Sequence, residues 1–326
     1  MTNKWIIREK KVRNIYNGIL TKDEMFIKEK SQLVYEENRL ELNHEQNRIL
    51  KAIKKDGICT SSIENLLPLE QMPLWENAID YYERFVSFEN VQKHIVSINK
   101  YGRPPDVVSL DNPNPKKKEI NARHFLNREV LLKDNCIQLF LTDALLQIVS
   151  AFYACAPKAY VFSTWLHPWT PSKTREGSQR WHKDPEGMEI FKVYLYIDDV
   201  ETENGPLEYV KGSFTKGKNS TLQSYRTKNR YPPTGYIERN VSKDDIFTGV
   251  GKKGTLIFAD NNGFHRGGYV KKGMRKMMQA VFLEPNTFFA NTEEKHRHKL
   301  ERKGEHFDEL TALAKSVITY QEWNDT

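Results

Sequence analysis

The 326-residue sequence predicts an α+β fold, and three observations carry the prediction. Apolar residues recur at loose helical spacing through the first half. From Ala159 onward they fall instead into short β-rich runs separated by Gly, Pro, Asn and Asp. After residue 284 a charged, helical composition returns. Helices first, strands next and helices last is the order of helices packed against an antiparallel core. The expected division is a helical N-terminal extension over 1–45, a core domain over 46–284 and a helical tail over 285–326.

Taken in order, residues 1–45 are heavily charged and carry Trp5, Ile6, Ile15, Ile19, Leu20, Met25 and Phe26 at helical spacing. The segment EQNRILKAIKK (45–55) is an amphipathic helix that should stop at Asp56-Gly57. A further helix follows Pro73, with Trp75, Ala78, Tyr81, Tyr82 and Phe85 on its apolar face. Residues 99–120, with four prolines and a PKKKE run, form a loop. Residues 129–150 return to a helical pattern around Leu131, Leu132, Ile137, Leu139 and Leu145. Then come the strands AYVFSTWL, EIFKVYLYID, GTLIFAD and KMMQAVFLE. The Lys/Ser/Thr/Asn-rich segment 211–249 between them is expected to be surface loop.

Composition narrows the function. With 38% hydrophobic and 29% charged residues and a mean hydropathy of −0.69, the chain is polar. Its 16 Phe, 15 Tyr and 6 Trp are far too many for a disordered one. The most apolar run, 148–166, is broken by Pro157 and Lys158 and does not suit a membrane span. The opening MTNKWIIREKK has no apolar secretory segment. Cys59, Cys136 and Cys155 are odd in number and lack metal-type spacing, so they read as reduced, buried thiols of a cytoplasmic protein. The net charge of +7 is compatible with nucleic acid, but the basic residues are scattered in short clusters with no recognition-helix or zinc-finger pattern. Nucleic acid is therefore not the expected partner.

The chemistry lies in the β half. Gln179-Arg180-Trp181-His182-Lys183-Asp184 is followed by a strand, an Asn204-Gly205-Pro206-Leu207 turn, and later His265 and Arg275. Residues two apart on an extended chain share a face, so His182 and Asp184 can converge on one ion. His265, brought in by a neighbouring strand, completes two imidazoles and one carboxylate. That set suits non-haem iron(II) and leaves coordination positions open, whereas structural zinc closes its shell, usually with thiolates. An HxD pair alone arises by chance in many chains and would otherwise read as an exposed strand-end pair; Arg275 sharpens it. Oxygen activation needs an electron source, and 2-oxoglutarate supplies two electrons on decarboxylation. Its far carboxylate needs a fixed cation, for which a guanidinium fork is best suited. Arg266 competes with Arg275 for that role, and Glu186 and Glu189 are weaker rivals of Asp184. Gln179 either points at substrate or bonds backbone, Trp181 reads as core, and His167 reads as part of a loop.

At this point the sequence resembles the phytanoyl-CoA dioxygenase family of iron(II)/2-oxoglutarate oxygenases. The resemblance runs over 50–284 and is carried by QRWHKD, FKVYLYIDDV, ENGPLEYVKGS, GTLIFAD and FHRGG followed by Arg275, with KAIKKDGICTSSIENLL like the family's opening helix and strand. It implies a double-stranded β-helix, a cupin-like jelly roll, with helices packed on one sheet. It implies His182, Asp184 and His265 as iron ligands and Arg275 as the 2-oxoglutarate anchor. It also implies cosubstrate contacts from Thr164, on the first core strand, and Tyr194, on the strand after HxD. The serine often found two residues after the distal histidine is here Gly267, leaving Thr255 or a water to make its hydrogen bond. Asp184 stands where halogenating relatives have a small residue, which implies hydroxylation or another oxidation.

The function expected is thus hydroxylation of a small-molecule metabolite, using Fe(II), 2-oxoglutarate and O2 and releasing succinate and CO2. Basic residues in 168–180 and 211–249 (Lys173, Arg175, Arg180, Lys216, Lys218, Arg226, Lys228, Arg230) suggest an anionic substrate. The alternatives are a nucleic-acid-directed oxygenase of the same superfamily, against which stands Val281 where a second arginine is usual, and a non-catalytic metal- or ligand-binding member.

Overall fold

The computed structural model describes residues 2–89, 91–92, 95–96, 126–129, 135–169, 175, 177–222, 231–287 and 305–318. The loop expected over 99–120 lies outside the described residues, as do Lys173, Arg226, Lys228 and Arg230.

Helices α1 (Thr2–Tyr16), α2 (Lys22–Asn38) and α3 (His44–Asp56) open the chain. Thr21 and Asn43 each accept the N3 backbone N–H of the helix that follows, and Glu24 and Gln46 reach back to the cap backbone. These reciprocal bonds satisfy donors that helix starts otherwise leave orphaned. Gly57 ends α3 at φ 80, a left-handed conformation that costs glycine nothing, so the stop expected at Asp56-Gly57 is met. Strand β1 (Ile58–Ser62), the turn of helix α4 (Ile63–Leu66) and α5 (Met72–Ser87) follow. α5 buries Trp75, Ala78, Tyr81, Tyr82 and Phe85, the face read from the sequence.

The later elements are β2 (Leu126–Glu129), α6 (Asp143–Tyr153), β3 (Lys158–Pro168), β4 (Phe191–Tyr196), β5 (Leu207–Val210), α7 (Tyr236–Asn240), β6 (Ile246–Gly249), β7 (Thr255–Asp260), β8 (His265–Gly267), β9 (Met274–Leu283), α8 (Glu305–Asp308) and α9 (Ala312–Ile318). Two expectations change. Of the helical pattern expected over 129–150, residues 130–134, with Leu131 and Leu132, lie outside the described residues; Glu129 ends strand β2, and the remainder is a 3-10 segment Asn135–Leu141 followed by α6. The segment expected as loop over 211–249 contains α7 and β6. β6 is a strand because β5 offers it an antiparallel edge, with Leu207 opposite Gly249 and Val210 opposite Ile246. A four-residue strand carries too little periodicity to show by itself.

The result is a mixed fold of helices and antiparallel sheets. A six-stranded sheet has the order β1-β7-β4-β9-β3-β2, and a three-stranded sheet the order β6-β5-β8. On the large sheet, side chains alternate between two environments. Val193, Leu195, Met278, Ala280 and Phe282 join a core with α3, α5 and α6. α9 adds Leu313, Ala314, Val317 and Ile318 to that core, so this part of the helical tail packs against the domain. The opposite face turns toward the small sheet. None of the three cysteines forms a disulfide, and all are buried. No helix among the described residues is long and apolar enough to cross a membrane.

Asp260 ties the end of β7 to the segment before β4. Its Oδ1 accepts the N–H groups of Ile190 and Asn262, both at 3.0 Å. Burial pushes its carboxyl from an ordinary 3.8 up to about 7. The folded state therefore holds a proton that the unfolded state has released between those two values. Stability contributed through this group is full below about pH 4 and falls as pH rises toward 7, by up to about 1.4 kcal/mol per unit. Asp260→Asn keeps an acceptor for both N–H groups without the titration. Denaturant melts of metal-free protein across this window are expected to show a flatter pH dependence in Asp260→Asn than in the parent. Equal slopes would rule the effect out.

Candidate metal centre

His182 lies in the extended segment before β4, and His265 opens β8. A two-residue antiparallel bridge joins them, each backbone N–H donating to the other's carbonyl at 3.0 Å. Asp184 is held next door, its N–H donating to the Asn261 carbonyl at 3.1 Å. These backbone bonds bring the two imidazole centroids to 4.3 Å. His182 Nε2 is 3.7 Å from Asp184 Oδ1, and His265 Nε2 is 3.5 Å from Asp184 Oδ2. One ligand atom from each of the three buried residues falls within 4.8 Å of the others, and among the described residues this is the group of such residues able to hold a metal ion. Glu186 lines the same cavity but does not belong to that group.

The donor set fits a metal. His182 Nδ1 lies 2.8 Å from the Arg180 carbonyl, and His265 Nδ1 lies 3.0 Å from the Gly263 carbonyl. A carbonyl only accepts, so each Nδ1 carries the hydrogen and each Nε2 presents a lone pair toward Asp184. Orienting bonds of this kind are what metal-ligating histidines use. Burial opposes ionisation of Asp184. The Lys192 ammonium, 2.7 Å from its Oδ2, overcomes that and holds the carboxyl well below its usual range.

The cavity beside the three residues, about 250 Å³, lies between the sheets. β3 contributes Trp165 and His167, and β4 contributes Lys192, Tyr194 and Tyr196. β9 contributes Arg275, Met277 and Gln279, and the small sheet Leu207, His265 and Gly267. Arg275 is 3% exposed, and its Nε and Nη1 have no hydrogen-bond partner. A buried guanidinium with unmet donors is costly to the fold, and a carboxylate guest would meet them. Burial accordingly pulls the Arg275 pKa below its ordinary value. Arg266, the rival, is committed elsewhere. It donates to Glu208 at 2.5 Å and to Glu238 at 3.1 Å, and its guanidinium lies 4.2 Å over the Trp181 ring. Gly267 leaves room for Arg275, since a Cβ there would stand 3.1 Å from its Nη2.

Of the residues expected in the site, the structure brings His182, Asp184, His265, Arg275 and Tyr194 together. Thr164 is corrected. Side chains alternate along β3, and Trp165 and His167 line the cavity while Phe162 and Leu166 join the helical core. Thr164 shares their parity and faces away from the cavity. Thr255 is likewise absent from the lining, and Gln179 sits outside it in the turn Gly177–Gln179. His167 is a correction in the other direction: it belongs to β3 rather than to a loop, and stands opposite Arg275 in register. Burial holds its imidazole well below the ordinary histidine value. Lys192 and Asn261 were not singled out in the sequence. Lys192 was legible as a same-face neighbour of Tyr194; Asn261 offered no signal.

The phytanoyl-CoA dioxygenase (PhyH) family pattern matches residues 83–278, more than half of the chain. The chain belongs to the phytanoyl-CoA dioxygenase family. It is an iron- and 2-oxoglutarate-dependent enzyme of that family, with Fe(II), 2-oxoglutarate and O2 as its cofactor and cosubstrates. The match starts later than the resemblance over 50–284 suggested. No curated protein matches the chain. Among solved structures, the epimerase SnoN, in complex with Fe3+, α-ketoglutarate and nogalamycin RO, is 12% identical, with a TM-score of 0.50 over 80% of this chain and 94% of that one. AviO1 from Streptomyces viridochromogenes is 14% identical, with a TM-score of 0.45 over 76% and 98%. EctD from S. alaskensis, with 2-oxoglutarate and 5-hydroxyectoine, is 17% identical, with a TM-score of 0.45 over 76% and 79%. At such identities the likeness to SnoN is one of fold.

Proposed function

We propose that this family member hydroxylates a small-molecule metabolite, with His182, Asp184 and His265 as the ligands of a ferrous ion and Arg275 as the anchor of 2-oxoglutarate. One substrate C–H bond becomes C–OH, and 2-oxoglutarate and O2 become succinate and CO2. The observation that carries the reading is the buried His-Asp-His set sharing a cavity with the unmet donors of Arg275. When bound, iron and 2-oxoglutarate supply the two-electron activation of dioxygen. The chain's own residues do the rest. The Arg180 and Gly263 carbonyls keep both Nε2 lone pairs aimed inward. Arg275 meets the distal carboxylate, with Tyr194 within reach of the same ligand. Trp165, Tyr196, Leu207 and Met277 wall the cavity and keep water from it.

The two facing sheets support a double-stranded β-helix over 46–284, with 1–45 and 285–326 as helical extensions. An anionic substrate is supported at one point. Arg180 stacks 4.4 Å over Tyr231, whose ring meets that of His182 edge-on at 6.0 Å, so a cation stands beside the metal site. Lys218, by contrast, is paired with Asp245. The nucleic-acid reading is disfavoured because the position where a second arginine is usual is Val281, a buried member of an apolar cluster with Val12, Ile190 and Leu283.

The test is a metabolite screen scored by succinate release, run on chelated protein re-supplied with ferrous iron or with zinc. Substrate-dependent succinate with iron alone is the expected result. Product formation with zinc alone would point to hydrolysis and end the oxygenase reading.

A further inference from the structure

We propose that Lys192 and Asn261 form a clamp on one oxygen of Asp184, so that the carboxylate offers the metal its other oxygen only. The proposal rests on the metal-centre reading above. Lys192 Nζ lies 2.7 Å from Asp184 Oδ2, and Asn261 Nδ2 lies 3.2 Å from the same atom. Asp184 Oδ1 faces His182 Nε2 at 3.7 Å. The Asn261 amide also reaches Tyr194 Oη at 2.6 Å and His265 Nε2 at 2.8 Å. An amide nitrogen has two N–H groups for these three acceptors. Once the His265 lone pair serves a metal it no longer accepts, and both N–H groups are left for Asp184 Oδ2 and Tyr194 Oη. The clamp on Oδ2 is then complete just when the site is loaded.

The consequence is a matter of counting coordination positions. On a six-coordinate ion, two histidines and one carboxylate oxygen would occupy three, the keto acid end of 2-oxoglutarate would take two, and one would remain for the gas. A carboxylate that turned both oxygens to the metal would fill that last position. Lys192 suits the task as a positioning residue because its ammonium is a compact charge standing 2.7 Å from one carboxylate oxygen. Its side chain is 15% exposed, so water competes little for the contact.

The experiment uses the full chain under anaerobic conditions, loaded with ferrous iron and 2-oxoglutarate, with nitric oxide as the probe of the open position. In the parent, the 2-oxoglutarate charge-transfer band forms, and nitric oxide then gives its high-spin EPR signal. Lys192→Met is expected to keep iron and the charge-transfer band but to lose about 10- to 100-fold in nitric oxide affinity, the range over which outer partners of metal ligands act. Lys192→Arg, a cation of similar reach, is expected to recover part of the loss. Unchanged nitric oxide affinity in Lys192→Met overturns the clamp. So does loss of iron itself from that variant with circular dichroism unaltered, because Lys192 would then merely prop the triad. A parent that binds neither iron nor 2-oxoglutarate sinks the metal-centre reading instead, before the clamp is reached.

Discussion

Alanine at His182, Asp184 or His265 is expected to abolish ferrous-iron binding and, with it, 2-oxoglutarate consumption, while circular dichroism stays that of the parent. The fold survives because the positions are set by backbone rather than by these side chains. The 182–265 bridge and the Asp184 N–H bond to Asn261 involve main-chain atoms that alanine retains. The metal does not survive, because three ligands are few and each supplies one atom of the set. Asp184→Ala carries a second effect: it strands the Lys192 ammonium in a buried site, which costs on the order of 3–5 kcal/mol when a buried pair loses one member. Of the three variants it should therefore melt lowest, and Asp184→Asn, which leaves an oxygen for Lys192, should recover part of that loss without recovering full activity. Metal analysis of the purified proteins decides the matter. Parent-like iron content and turnover in any alanine variant would remove that residue from the centre.

Arg275→Leu is the second large effect. Losing one partner of a buried charged pair typically costs about 2–5 kcal/mol, or about 30- to several-thousand-fold in affinity. 2-Oxoglutarate affinity, followed through the charge-transfer band of anaerobic iron-loaded protein, is expected to fall by at least that lower factor, with iron binding little changed. The free protein moves the other way. Arg275 has two unmet donors in the absence of a guest, so replacing it by leucine removes a buried cost and should not lower the melting temperature of the apoprotein. Arg275→Lys should rescue only part of the affinity, since an ammonium does not reproduce the planar fork. Arg266→Leu should leave 2-oxoglutarate affinity near that of the parent, because its guanidinium is spent on Glu208, Glu238 and Trp181. If Arg266→Leu proves the damaging change and Arg275→Leu the silent one, the assignment is reversed.

The sequence by itself determined whatever depends on near neighbours along the chain. Helix α3 ends where Gly57 can turn left-handed, and α5 buries the five residues that a 3.6-residue period places on one side. The four apolar runs after Ala159 became β3, β4, β7 and β9. The two-residue spacing of His182 and Asp184 was enough to pair them, and the chemistry of two imidazoles with a carboxylate was enough to suggest iron. The tertiary structure decided what depends on which strand lies beside which. Of two arginines nine residues apart, one was buried beside the cavity and the other tied to acids, and nothing local distinguishes them. Thr164 was lost to the site, and Trp165 and His167 gained, because a strand's two faces exchange with a shift of one residue. β6 exists because β5 has an edge to offer, and α9 belongs to the core because α2, β3 and α6 pack against it. Lys192 and Asn261 meet Asp184 from positions 8 and 77 residues further along the chain. They are brought to one atom by the pairing of β4 with β7 and by the backbone bond from Asp184 to Asn261, and no local pattern in the chain records that meeting.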